Sequence, residues 1–316
     1  MSMTVHVIVT LLHAVEGSVP TVTDDGIYTV STSQLHSTWI SADSESGIAE
    51  YQYAIGTTVG GTDMVNWTST GTTASVTKTG LSLTPNQVYY ISVKAKNGVG
   101  QWSTIGSSDG ITVVQIVSLI SQAKSYPDGT AVKLTDKPAS AKIGSAFWIE
   151  ESDRSSGIKV NSGISVSPGD LITVGGKLSI NQGERFLDAV EVAKNGSTTA
   201  PEELALVNKM LGGADLNSYT PGVKDGAGAN NIGLLVKVWG KVTQMGTDYF
   251  YINDGSGLKD GSSTDTTQNV GIRILTAPGT LNAGDFVIIT GVSSTFDISS
   301  QHIRAVLPIT SGVQKL

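Results

Sequence analysis

The sequence predicts an all-β protein in which a β-sandwich is followed by two small five-stranded barrels, with one short linker helix between the barrels. Three observations support this. Glycine is abundant, at 37 of 316 residues, while charged residues make up only 15%, which is typical of short strands joined by tight turns. A long-period repeat occupies the second half of the chain. A single segment carries the signals that start and stop a helix.

The sandwich is predicted for residues 20–114, where strand-like runs are punctuated by turn signals at sandwich spacing. Pro85 sets a turn that is followed by Tyr89, and apolar residues then recur at every second position, as at Ile91 and Val93. This pattern predicts a tyrosine corner, in which the Tyr89 hydroxyl bonds to nearby backbone while the alternating residues face the core.

The repeat pairs residues 146–160 with residues 248–274. Each copy contains an aromatic-rich strand, a polar turn and a short apolar strand that begins at a glycine, and each continues into a Gly-Asp step and an apolar run. The second copy also contains a first strand that bends at Gly240. Five strands with glycines near the sharp bends suit a small closed barrel.

The segment between the copies predicts the linker helix. Pro201 and two glutamates open it, apolar residues follow, and Gly212 ends it. The predicted organisation is an apolar N-terminal strand segment (1–19), the sandwich (20–114), the first barrel (115–198), a short helix with a glycine-rich linker (199–230) and the second barrel (231–316).

At these motifs, residues 20–114 resemble fibronectin type III domains of large bacterial exported proteins. The two repeat copies resemble the OB-like modules that accompany such domains, the second copy more closely than the first. This resemblance implies an extracellular or cell-surface location and a binding or spacer role, and it implies no enzymatic activity.

Catalytic and cofactor signatures are missing from the sequence. It has no cysteine and only four histidines, none of which belongs to an HExxH motif or a Ser-His-Asp set, and no phosphate-binding glycine loop precedes a helix. We therefore expect a protein that is not an enzyme and holds no cofactor. A net charge of −7 disfavours nucleic acid as a partner, because no long-range positive field is present.

The second barrel carries the most informative group of candidate binding residues. If alternate residues fill its core, six side chains from its first three strands point outward: Lys237, Trp239, Lys241, Tyr249, Tyr251 and Arg273. OB-like barrels hold oligosaccharides or oligonucleotides on this face. The first barrel offers a sparser set there: Lys133, Trp148, Glu150 and Lys159. The alternative interpretation is that these faces pack against neighbouring parts of the protein.

Two weaker candidates have a structural alternative that we favour. Asp254, Asp260 and Asp265 lie in an oxygen-rich loop that could collect Ca²⁺, but EF-hand spacing is absent and a structural turn is preferred. Trp39, Trp67 and Trp102 are either sugar-stacking platforms or, as we expect, packing residues of the sandwich.

The N-terminal segment suggests self-assembly. Between residues 5 and 12, six side chains are apolar: Val5, Val7, Ile8, Val9, Leu11 and Leu12. The segment is too short to span a bilayer. It is either the edge of a domain lying upstream or a strand that pairs with a sheet edge of this chain or of a neighbour. The leading functional hypothesis is a structural subunit that assembles head to tail or with neighbouring surface proteins. The alternative is an accessory module that binds a carbohydrate or nucleic acid.

Overall fold

The protein is described by a computed structural model that covers residues 17–260 and 270–316. The chain divides after Val114 into two compact units. Strands dominate both units, so the predicted all-β fold class, a β-sandwich followed by two five-stranded barrels, is confirmed. No helix within the described residues is long and apolar enough to cross a membrane.

The first unit is a sandwich of two β-sheets. Its strands are β1 (Thr21–Asp24), β2 (Tyr28–Thr29), β3 (Gln34–Ile40), β4 (Ile48–Gly56), β5 (Val65–Gly71), β6 (Ser75–Thr79), β7 (Val88–Asn97), β8 (Gly106–Ser107) and β9 (Ile111–Val113). One sheet has the order β1-β3-β6. The other has the order β2-β9-β7-β4-β5, with β8 pairing with β7. Residues of β3, β4, β7 and β9 form one shared hydrophobic core.

The predicted tyrosine corner is confirmed. Tyr89 is buried, and its hydroxyl accepts a hydrogen bond of 2.9 Å from the backbone N–H of Thr84. Ile91 and Val93 follow it into the core, as the alternation of strand side chains requires. Trp39 is also a core residue, packed edge-on against Tyr51 with 5.9 Å between ring centroids.

The second unit contains two closed barrels. Its elements are β10 (Gln115–Ile116), α1 (Ile120–Ala123), β11 (Ala131–Ile143), β12 (Ala146–Glu150), β13 (Gly157–Asn161), β14 (Asp170–Asn181), β15 (Glu184–Ser197), β16 (Leu204–Ala205), a 3₁₀ turn (Asn208–Met210), β17 (Leu235–Met245), β18 (Phe250–Asn253), β19 (Ile272–Ile274), β20 (Phe286–Ile298) and β21 (Gln301–Lys315).

The barrels share one strand order. The first runs β11-β12-β13-β15-β14 and closes through β14 and β11; the second runs β17-β18-β19-β21-β20 and closes through β20 and β17. In each barrel the third and fifth strands are parallel neighbours. Gly240 lies where β17 changes partner from β20 to β18, and an added Cβ there would lie 2.8 Å from the backbone of Asn253. The bend therefore requires glycine.

The predicted linker helix is wrong. The segment instead forms β16, which runs parallel to β17, and the 3₁₀ turn. Leu204 and Leu206 both pack against the second-barrel core, which is a period of two rather than the period of a helix. Pro201 and the glutamates supply helix-start signals, but pairing with β17 satisfies the backbone and buries these leucines.

The structure extends the repeat in the N-terminal direction. Short strands β10 and β16 each run parallel to the first strand of their barrel. A short helical turn follows each one, and a carboxylate at an equivalent position accepts from its backbone: Glu151 from Ile120 N–H at 2.6 Å, and Asp254 from Asn208 N–H at 2.7 Å. The segment between the barrels thus contains the start of the second module.

Candidate functional site

The predicted binding face of the second barrel is only partly exposed. Trp239 is 41% exposed and Lys241 is exposed, and both lie on β17. Tyr251 is fully buried and Arg273 is 8% exposed. The prediction that all six side chains are available to a ligand is therefore wrong for Tyr251 and Arg273.

The cause is a stacked cluster on the outside of the barrel. The Arg273 guanidinium lies 3.7 Å from the ring centroid of Tyr249 and 4.0 Å from that of Phe296. Tyr249 and Tyr251 meet edge to face at 5.8 Å, and the Tyr251 hydroxyl donates to the Asp260 carboxylate. Burial, reinforced by this hydrogen bond, raises the pKa of Tyr251. The alternation of side chains correctly predicted that these residues point away from the barrel core. They cover one another, however, so Tyr251 and Arg273 are buried.

An exposed patch remains on β17 and β20. Lys241 lies opposite Phe286, which is 58% exposed, and Trp239 lies two residues before Lys241 on the same side of β17. We call Trp239, Lys241 and Phe286 the Trp239 patch. Lys237 is partly exposed and forms an ion pair with Glu203. Sequence reasoning missed Phe286, although its alternation with the buried Val287 and Ile289 was a usable signal.

The equivalent face of the first barrel is covered by the second barrel. Trp148 is buried in a cluster with Ala141 and Ala146 of its own barrel and with Leu235 and Val292 of the other. The backbones also meet directly, because a Cβ at Gly157 would collide with the carbonyl of Gly233. The first-barrel face is therefore an internal interface of the second unit.

Polar groups at this interface are paired across it. The buried Glu150 carboxylate accepts from Leu235 N–H at 2.6 Å and from Arg154 Nε at 2.7 Å, and Arg154 also donates to the Leu235 carbonyl at 2.7 Å. Glu184 accepts from Trp148 Nε1 at 2.9 Å and from the Ser294 hydroxyl at 2.7 Å. Desolvation raises the pKa of Glu150, while its hydrogen bonds and Arg154 oppose that shift.

A buried lysine completes the interface. Lys124 follows helix α1, and its Nζ donates to the Ile232 carbonyl at 2.8 Å. Its own carbonyl accepts from the Thr220 hydroxyl at 2.7 Å. Burial lowers the pKa of Lys124 to about 8, although Glu184 and Glu150 partly counter this effect.

A cavity of about 150 Å³ also lies between the barrels, and its walls include Lys159, Glu184, Phe186, Ser294 and Leu307. Ligand pockets usually begin at about 300 Å³. Its size fits a packing defect between the barrels better than a binding pocket.

The remaining first-barrel candidates are engaged internally. Lys133 pairs with Glu191 at 3.0 Å, and the Lys159 ammonium lies 5.7 Å from the Trp148 ring centroid.

The candidate calcium ligands serve the fold where they are described. Asp254 accepts from the backbone of Asn208 and Ser256, and Asp260 accepts from Tyr251. Asp265 lies outside the described residues. Within 17–260 and 270–316, no group of three or more His, Asp or Glu side chains could hold a metal ion.

The proposed self-assembly residues also lie outside the described ranges. They are Val5, Val7, Ile8, Val9, Leu11 and Leu12.

No protein-family model matches the chain, and no curated protein matches it. Three solved structures show partial likeness. The twitchin kinase region from C. elegans is 12% identical with a TM-score of 0.23, covering 46% of this chain and 31% of that one. The chicken CNTN1 FN1-FN3 domains are 10% identical with a TM-score of 0.23, covering 94% and 97%. The Bacteroides ovatus mixed-linkage glucan utilization locus protein SGBP-B, solved with a mixed-linkage heptasaccharide, is 10% identical with a TM-score of 0.19, covering 89% and 65%. These likenesses assign the chain to no family.

Proposed function

We propose that the protein is a non-catalytic structural module of an extracellular or cell-surface assembly, in which the two barrels act as one rigid spacer. The supporting observation is the interface between the barrels. It occupies the face that a free OB-like barrel would offer to a ligand, and it contains Trp148, Glu150 and Glu184, all buried.

The chemistry of the interface favours a fixed arrangement of the barrels. The apolar cluster around Trp148 and Leu235 supplies burial, which is the main favourable term in association. Buried charges are costly unless they are paired, so Glu150 and Arg154 disfavour any position in which Leu235 cannot meet them. A hinged pair of barrels would not need this pairing.

Assembly is the second part of the proposal. We propose that residues 5–12 are donated to a sheet edge of a neighbouring subunit, since a head-to-tail contact of this kind does not close and can propagate into a filament. The test compares the full chain with a chain lacking residues 1–14 by sedimentation and negative-stain microscopy. We expect polymers from the full chain and a folded monomer after deletion. A monomer in both cases would contradict assembly through this strand.

A second candidate function is carbohydrate binding by the Trp239 patch, which the exposure of Trp239 and Phe286 favours. Residues 231–316 contain six Lys or Arg and six Asp, so a sugar suits this surface better than a nucleic acid. Replacing Trp239 and Phe286 together with alanine should abolish retention in an oligosaccharide affinity gel without unfolding the barrel. Unchanged retention of the double variant would exclude this surface.

A further inference from the structure

The sandwich carries an aromatic and basic surface on the outer face of its larger sheet. Lys94 lies on β7 between Val93 and Ala95, which are core residues, so its side chain faces outward. In the sheet register Lys94 pairs with Gln52 of β4, and Gln52 pairs with Ser69 of the edge strand β5.

Two tryptophans flank this lysine. The Lys94 ammonium lies 4.6 Å from the ring centroid of Trp67 on β5 and 4.7 Å from that of Trp102, which forms a β-bridge with Lys96. The Lys96 ammonium is 5.6 Å from the same Trp102 ring. Both indoles are half-buried. We call Trp67, Lys94, Lys96 and Trp102 the tryptophan–lysine surface.

The two lysines of this surface differ in their partners. Lys96 approaches Glu50 at 4.0 Å, whereas Lys94 interacts with the Glu50 carboxylate only over a longer distance and forms no ion pair with a described carboxylate. The Lys94 ammonium is held between two electron-rich ring faces, an arrangement that attracts the cation without neutralising its charge. Its positive charge therefore stays available to an anion that approaches the sheet.

Polar side chains lie beside Lys94 in the sheet register. Gln52 and Ser69 place an amide and a hydroxyl beside the lysine, and both side chains also bond to the Glu50 carboxylate. A flat ligand that is apolar on one side, rich in hydroxyls at its rim and negatively charged can stack on the indole rings, hydrogen-bond to the polar side chains and pair with the lysine. Sugars with a carboxylate have this composition, because the C–H face of the ring can lie on indole while the hydroxyls and the carboxylate meet the polar groups.

The second sheet offers a contrast within the same unit. Its strands β1, β3 and β6 contain one tryptophan, Trp39, and that side chain is in the core. On β3, the outward His36 pairs with Asp25 at 2.7 Å. Among the described residues, the combination of two tryptophan rings with a lysine that forms no ion pair belongs to the larger sheet.

We infer that the tryptophan–lysine surface binds an acidic polysaccharide, with Trp67 and Trp102 stacking on sugar rings and Lys94 pairing with a uronate carboxylate. This site is separate from the Trp239 patch and does not depend on the proposed structural function. Its failure and that of the spacer proposal are therefore distinguishable.

The test uses the full chain in affinity electrophoresis and isothermal titration with polygalacturonate, and with dextran as a neutral polymer. We expect the wild type to bind polygalacturonate and to bind dextran at least tenfold more weakly. Replacing Trp67 and Trp102 together with alanine should weaken binding at least tenfold. Lys94→Met should weaken it while leaving both rings in place, and Lys94→Arg should retain it. Added salt should weaken wild-type binding more than that of Lys94→Met.

Tyr219→Ala is the matched control, because it removes an exposed aromatic side chain from the other unit, outside both the tryptophan–lysine surface and the Trp239 patch. It should bind as the wild type does. Circular dichroism and amide exchange of β4 and β7 establish that each sandwich variant is folded. No binding of polygalacturonate by the wild type, equal binding of dextran, or loss of binding in Tyr219→Ala with full binding in Lys94→Met would each overturn the inference.

Discussion

The two barrels carry the same kind of outward pair at equivalent positions, an aromatic on the second strand and a cation on the third, but cover it differently. In the first barrel the pair is Trp148 and Lys159, and the second barrel packs over Trp148. In the second barrel the pair is Tyr251 and Arg273, and Tyr249 and Phe296 of the same barrel cover the guanidinium. Alternation therefore identifies which side chains leave the core, and tertiary packing decides whether they reach solvent.

The largest expected effect is at the last residue of the second strand, which is Glu150 in the first barrel and Asn253 in the second. Glu150→Ala should lower the free energy of unfolding by about 3 to 5 kcal/mol, because it leaves the buried Leu235 N–H and the half-buried Arg154 guanidinium without their carboxylate acceptor. The equivalent change, Asn253→Ala, removes an acceptor from a turn at Gly255 and Gly257 and should cost about 1 kcal/mol. Chemical denaturation of both variants measures the difference. Equal costs would contradict the assignment of Glu150 to the interface.

Lys124, the buried lysine of the interface, should make the free energy of unfolding depend on pH. The pKa of Lys124 is about 8 in the folded protein and near 10.5 ordinarily, so above pH 8 the folded state has lost a proton that the unfolded chain still holds. Stability rises with pH wherever the unfolded state binds more protons. The free energy of unfolding should therefore rise from pH 8 toward pH 9.5. The complete titration of Lys124 would raise it by about 3 kcal/mol, and this range covers part of that increase. The rise should disappear in Lys124→Met, and its persistence there would assign it to another group.

Tyr251 tests whether the stacked cluster on the outside of the second barrel stabilises the protein. Tyr251→Phe keeps the ring and removes the hydroxyl that donates to Asp260, and should cost about 2 kcal/mol because the acceptor is charged. Since the pKa of Tyr251 is raised, the folded state keeps this proton longer than the unfolded chain, and wild-type stability should fall above pH 10. Titration of unfolding midpoints between pH 9.5 and 11 checks both points. A variant as stable as the wild type would mean that the hydroxyl is solvated.

The sandwich supplies the smallest effect. Tyr89→Phe should cost about 1 kcal/mol, because its hydroxyl accepts one neutral hydrogen bond from Thr84. Tyr53→Phe is the matched control, since Tyr53 is buried in the same core and no described residue bonds its hydroxyl. Amide exchange in β7 locates the change. Equal costs for the two variants would argue against a stabilising corner.

The sequence was sufficient where a local pattern determined the structure. Pro85 and Tyr89 predicted the corner, the repeat predicted both barrels, and Gly240 marked the point where β17 bends. These features depend on residues close together in the chain or on a pattern that occurs twice.

It was insufficient where distant segments compete. The helix signals at Pro201 do not determine the structure of this segment. Pairing with β17 and packing of Leu204 and Leu206 on the barrel core stabilise an extended backbone more than a helix would. The burial of Trp148 depends on Leu235 and Val292 in the other module, and no periodicity around Trp148 encodes that contact. For Asp254 the sequence predicted a structural turn but not its partner, because Asn208, from which it accepts, lies 46 residues earlier in the chain.

Native-state amide hydrogen exchange across residues 115–316 tests the central claim that the two barrels form one rigid unit. The most direct probe is the Leu235 amide, whose proton is bonded to the Glu150 carboxylate across the interface. If the two barrels form one rigid unit, this amide exchanges with the same opening free energy as the core strands β12 and β18, because the interface opens only when the unit unfolds. Exchange of Leu235 at a lower free energy, while both strands remain protected, would show that the barrels separate in the native state and would contradict the account.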